Sequence, residues 1–136
     1  MDDADAAAPR RATLAGWPYA VVCTALGLGL AWTPMLVHGP IAEKFNVFGL
    51  NGALAVWAFY TARLLIGFWV GITRWPVRWW LRGPLCGFAT MLPHALMLFA
   101  TPGCHYRCGE LNLTSGTLIG TAIGGLAFLL TGRHRG

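Results

Sequence analysis

The sequence predicts an all-α integral membrane bundle of four antiparallel transmembrane helices, with the N- and C-termini both cytoplasmic. Three observations carry that expectation. Hydrophobic residues make up 56% of the 136-residue chain and charged residues 11%, against about 25% charged in soluble domains, which is too little charge to cover a water-facing surface. The charges cluster, and the apolar stretches between them approach the roughly 20 residues that span hydrocarbon. Of the ten Lys and Arg, seven (Arg10, Arg11, Arg74, Arg78, Arg82, Arg133 and Arg135) fall on one side of such a bundle and two (Lys44 and Arg107) on the other, with Arg63 inside a span. That bias assigns the seven to the cytoplasm.

Each element follows from local composition. Residues 1–16 hold three Asp, several Ala and the Arg10-Arg11 pair, and read as a disordered cytoplasmic tail. The first helix is expected over about 17–37. Its Arg10-Arg11 prefix resembles a twin-arginine export signal, but the apolar run is long and no A-x-A site follows it, so a retained signal anchor is expected. A loop over 38–46, with Gly39 and Pro40 as breakers, leads to a second helix over 47–73. A basic, aromatic linker, Arg74 to Gly83, precedes a third helix over 84–101. A loop from Cys104 to Thr114 precedes a fourth over 115–131, and 132–136 form a basic cytoplasmic tail. The transmembrane domain thus covers 17–131.

The net charge of +5 raises nucleic acid as a partner. The basic residues flank apolar segments rather than forming a face with stacking aromatics, so no nucleic-acid partner is expected. Anionic phospholipid headgroups are the expected partner, since they attract Lys and Arg beside a membrane helix. In the linker, Arg74, Arg78 and Arg82 recur every four residues among Trp75, Trp79 and Trp80, a pattern suited to the lipid interface.

Arg63 lies ten residues from Thr73, about 15 Å into a core about 30 Å thick. A cation at mid-bilayer costs roughly 3 kcal/mol or more on insertion scales and needs a partner or a wet cavity. No Asp or Glu falls within any expected span. His94 lies at a matching depth on the third helix, Pro93 frees the Ala89 carbonyl, and Tyr60 and Thr90 add hydroxyls, so these residues form a candidate intramembrane polar site. The alternative reading is an arginine satisfied by carbonyls or snorkelling to headgroups.

Gly116, Gly120 and Gly124 form a stripe on the fourth helix, and small residues at such spacing let membrane helices approach closely. The stripe serves packing within the bundle or a contact with another subunit, and Gly27 and Gly29 on the first helix offer a matching surface. Cys104 and Cys108 share an outer loop and are expected to form a disulfide. The weaker alternative is a metal held by Cys104, His105 and Cys108, with Glu110 or His38 as a further ligand. Cys23 and Cys86 read as small core residues. Asn112-Leu113-Thr114 matches a glycosylation sequon but lies against a helix start.

No nucleotide loop, H-E-x-x-H motif or nucleophile with its base and acid is present, so no enzyme and no cofactor are expected. The leading expectation is a small polytopic protein of the bacterial cytoplasmic (inner) membrane. It would act through helix packing, as an accessory or assembly subunit or as a homo-oligomer. The alternatives are an oligomeric transporter or channel for an anion or proton using Arg63 and His94, and a thiol or metal protein using Cys104, His105 and Cys108.

Overall fold

The computed structural model describes residues 14, 16–38, 43, 46, 51–100 and 105–132. It is all-helical: α1 (Tyr19–Gly29), α2 (Thr33–His38), α3 (Gly52–Ile72), α4 (Trp79–Phe99) and α5 (His105–Thr131), with no strand among the described residues. Two helices carry segments long and apolar enough to cross a membrane, the 21 residues of α3 and the 25 residues Arg107–Thr131 of α5. The tail expectations over 1–13 and 133–136 lie outside the described residues.

The expected first helix over 17–37 is interrupted after Gly29. Pro34 has no N–H to give the Leu30 carbonyl four residues back. The amide of Thr33 donates to that carbonyl at 3.2 Å and the Thr33 hydroxyl at 2.7 Å. The chain therefore makes a tight turn and restarts as α2, with Pro34 in the first turn, where a missing donor costs nothing. At the start of α3, Asn51 caps the helix: its Oδ1 accepts from the amides of Ala53 at 3.1 Å and Leu54 at 3.2 Å.

Two further boundaries differ from expectation. The linker expected over Arg74–Gly83 is shorter, because α4 begins at Trp79 and keeps Pro84 and Pro93 inside it. The loop expected from Cys104 to Thr114 is helical from His105, so α5 runs 27 residues, or about 40 Å. Two hydroxyls here bond backward along the helix, Thr114 to the Glu110 carbonyl at 2.8 Å and Ser115 to the Asn112 carbonyl at 3.1 Å. Gly132, with φ 65°, ends α5 by donating to the Phe128 carbonyl at 2.8 Å.

The helices pack as two antiparallel hairpins, α1 with α3 and α4 with α5, and the hairpins meet along a less extensive interface. Both hairpins close on glycine. A Cβ on Gly27 would lie 2.5 Å from the Arg63 carbonyl oxygen, one on Gly71 2.6 Å from the Ala20 Cα, and one on Gly67 would strike the Cys23 carbonyl. In the other hairpin Gly87 faces Gly116 and Gly83 faces Gly120, backbone to backbone. Close approach of this kind supplies van der Waals contact where lipid offers no hydrophobic drive for association. Ile66, Val70, Met91, Ile119, Ile123 and Ala127 fill the interior. The outer faces carry large apolar side chains, including Trp57 (70% exposed), Met97 (72%) and Leu118 (65%).

The seams make a sharp stability prediction. Gly67→Val forces a side chain into the α1 backbone and should destabilise the protein by about 1–3 kcal/mol. Gly29→Ala meets nothing within 4 Å and should leave stability unchanged or slightly raised. Unfolding curves in mixed detergent micelles measure both.

Candidate intramembrane polar site

Arg63 is 1% exposed and sits where all four long helical segments converge. Its backbone oxygen abuts Gly27 of α1. Its side chain reaches the other hairpin, with Nη1 donating to the Met91 sulfur on α4 at 3.9 Å and Nη2 to the Ser115 hydroxyl on α5 at 3.3 Å. The guanidinium carbon lies 4.9 Å from the centroid of the Phe59 ring. Nε is buried with no partner. Two weak acceptors and one ring thus meet a group with five N–H donors.

That is little compensation for a buried cation. A cation–π contact contributes about 0.5–2 kcal/mol, and thioether sulfur is a weak acceptor. The chain's five acidic residues are Asp2, Asp3, Asp5, Glu43 and Glu110. The two among the described residues, Glu43 and Glu110, are both exposed, and Glu110 belongs to α5. No described carboxylate neutralises Arg63.

Polar groups continue away from Arg63 along α5 and α4. Ser115 accepts from Arg63 and donates to the Asn112 carbonyl, and Asn112 itself is 5% exposed with its Nδ2 unpartnered. His94 is half-buried, its ring 6.2 Å from that of Phe59. The site therefore comprises Arg63, Ser115, Asn112 and His94, with Phe59 and Met91 as soft neighbours.

Sequence reasoning singled out Arg63 and His94, and the structure places both beside Phe59. Tyr60 makes no hydrogen bond to Arg63, and Thr90 turns away, donating to the Cys86 carbonyl at 2.7 Å. Ser115 and Asn112 were missed as site residues. The signal was a three-residue spacing of two polar groups, which marks one face only once residues 105–114 are read as helix. Asn112 is buried within α5, which is not the exposed loop a glycosylation acceptor occupies.

The remaining candidate residues separate clearly. Gly116 and Gly120 pack on Gly87 and Gly83, not on α1, while Gly124 lies only within 3.9 Å of the Gly83 Cα. Gly27 packs on α3, and Gly29 touches no neighbour, so the expected pairing of Gly27 and Gly29 with the stripe is not the arrangement adopted. Arg74, Trp75, Arg78 and Trp80 are exposed, and Trp79 opens α4 with its side chain outside the description. Arg82, expected in the exposed linker, is 3% exposed within α4. Cys23 and Cys86 are buried, and neither belongs to a disulfide. Cys104 and the side chains of His105 and His38 lie outside the description, while Cys108 is half-buried. Among the described residues no three His, Cys, Asp or Glu side chains converge as metal ligands.

No protein-family model matches the chain, and no curated protein or solved structure is significantly similar to it.

The Arg63 contacts predict opposite effects for two neighbouring substitutions. Ser115→Ala leaves an Arg63 donor unsatisfied and should cost about 1–3 kcal/mol. Arg63→Met replaces a poorly compensated cation with an apolar chain of similar length and should be neutral or stabilising, as is often seen for buried charges. Unfolding in mixed micelles, with each variant compared to the parent, reads both.

Proposed function

We propose that the chain is a four-span membrane protein, with both termini cytoplasmic, that binds and passes a small inorganic anion at the Arg63 centre. The single observation carrying this reading is a buried guanidinium and a buried amide, Arg63 Nε and Asn112 Nδ2, that both lack acceptors. An ionisable group inside a membrane span is a candidate functional group by default, and ion pathways are among the roles such groups serve. Every unfilled group here is a donor, which suits an anion rather than a metal cation.

The four-span arrangement is supported by α1 and α2, which together cover 19–38, and by the apolar outward face of α4 (Leu85, Phe88, Leu92, Leu96 and Met97). The seven-to-two arginine and lysine bias supports the orientation and fits a bacterial cytoplasmic membrane. On this reading Cys104 and Cys108 close a disulfide on the oxidising side. Thiol labelling of denatured, unreduced protein should then modify two cysteines, Cys23 and Cys86, and all four only after reduction.

Flux into liposomes tests the function. Purified protein should conduct chloride or nitrate above the protein-free rate, Arg63→Met should lose that flux, and Gly125→Ala should keep it. A wild-type rate equal to empty vesicles, or full flux in Arg63→Met, refutes the reading. Acid influx that depends on His94 but not on an anion would make the pathway a proton path instead.

A second reading is an accessory subunit or homo-oligomer acting by packing. The Gly116 and Gly120 surface no longer supports it, being consumed within the chain. What favours it is the outward strip of Thr121, Ala122 and Gly125 on α5, where nothing lies within 4 Å of a Cβ placed on Gly125. Native mass spectrometry from lipid showing only monomers would remove it.

A further inference from the structure

We propose that Arg82 and the groove beside it form a binding site for one anionic phospholipid, phosphate at Arg82 and acyl chain along the groove. The inference rests on the four-span reading, which puts this end of the bundle at the cytoplasmic leaflet.

A groove of about 300 Å³ runs between the last turns of α3 and the first turns of α4, lined by Trp69, Thr73, Trp75, Cys86, Ala89 and Thr90. Its walls are almost wholly apolar. Its two hydroxyls are engaged, Thr90 with the Cys86 carbonyl and Thr73 with the Cys86 sulfur at 3.9 Å. An apolar trough on the outside of a membrane bundle suits an acyl chain. A water-soluble ligand would find few partners there.

Arg82 supplies what the groove lacks. It lies one helical turn before Cys86 and two before Ala89, so it continues the groove-lining face of α4 toward the membrane surface. It is 3% exposed, and both Nε and Nη2 are buried without an acceptor. A buried cation with unpartnered donors calls for an acceptor of opposite charge, and a phosphate that entered beside it would take the guanidinium through two parallel hydrogen bonds. Arg74 and Arg78 are exposed on the adjoining linker and add positive potential without geometric constraint. Trp75 and Trp80, also exposed, belong at headgroup depth.

Quenching of tryptophan fluorescence by phospholipids brominated on the acyl chain tests the site in a full-length variant that keeps Trp69 and Trp75, which line the groove, and carries phenylalanine in place of Trp17, Trp32, Trp57, Trp79 and Trp80. In the full-length protein reconstituted in mixed bilayers, brominated phosphatidylglycerol should be preferred over brominated phosphatidylcholine by about tenfold at this site, in keeping with a charge-assisted phosphate contact of roughly 1.5 kcal/mol. Arg82→Gln should bring the ratio to near one. Ala89→Phe, which fills the groove and leaves Arg82 in place, should lower quenching by both lipids, and it serves if Arg82→Gln does not fold. Arg74→Gln with Arg78→Gln should retain most of the preference. Equal quenching by the two lipids overturns the site while leaving the membrane reading intact, as does a preference that survives Arg82→Gln and vanishes with Arg74 and Arg78. Absence of quenching by either lipid overturns both.

Discussion

A guanidinium that no described carboxylate meets is the constraint around which this bundle is organised. Arg63 occupies the point where the two hairpins converge, and each neighbour there is adapted to it: a glycine on α1 that brings the backbone close, a thioether on α4, a hydroxyl on α5, and an aromatic face one turn away on its own helix. None of these cancels the charge. The contacts fix the direction of the side chain, and they tie α3 to both helices of the opposite hairpin, where the interface is otherwise thin. The same contacts that orient the cation therefore set how the hairpins sit against each other.

The glycine seams make that position possible. Cys23, Gly27, Gly67 and Gly71 draw α1 and α3 together, and Gly83, Gly87, Gly116 and Gly120 do the same for α4 and α5. Each hairpin is closed by backbone contact and does not rely on a long side chain to reach across. Interior volume is thereby concentrated between the hairpins, where Ile66, Met91, Ile123 and the Arg63 side chain are all but fully buried. A bulkier seam would push the two helices of a hairpin apart and shift the guanidinium away from Ser115. Packing and the polar site are thus one structural problem, solved by small residues on one face of each helix.

Much of this was legible in the sequence, and the parts that were not share a cause. Charge clustering located the apolar segments, and rise per residue put Arg63 deep within one of them. The Gly116 and Gly120 stripe was recognisable as a packing surface. Its partner was not, because pairing depends on the rotation of each helix, which a one-dimensional pattern does not fix. Polarity hid the first ten residues of α5: HYRCGELNLT looks like a loop, yet it lacks proline, and the Thr114 hydroxyl bonds back along the helix to the Glu110 carbonyl. Misreading that segment also concealed Asn112 as a companion of Ser115. The opposite error arose at Leu30, where unbroken hydrophobicity masked the turn that Pro34 imposes. Arg82 looked like one more interfacial arginine because its burial comes from helix start and packing, not from its neighbours in the chain.

The placement of the close contacts gives the bundle a polarity of its own. Measured along the helices, every glycine contact between hairpin partners involving Gly27, Gly67, Gly71, Gly83, Gly87, Gly116 and Gly120 lies level with Arg63 or toward the end that carries the 73–78 linker. On the other side of Arg63 the inward residues are larger and more polar, with Phe59, His94 and Asn112, and Gly109 there packs against the ring of Phe99 rather than against backbone. A glycine-sealed half resists opening, since backbone contact admits no rotamer change. A half closed by aromatic and amide side chains opens by rotating them. On the proposed reading an anion therefore reaches Arg63 more easily from the side of Asn112 and His94, and the glycine-sealed half is the greater barrier to its passage.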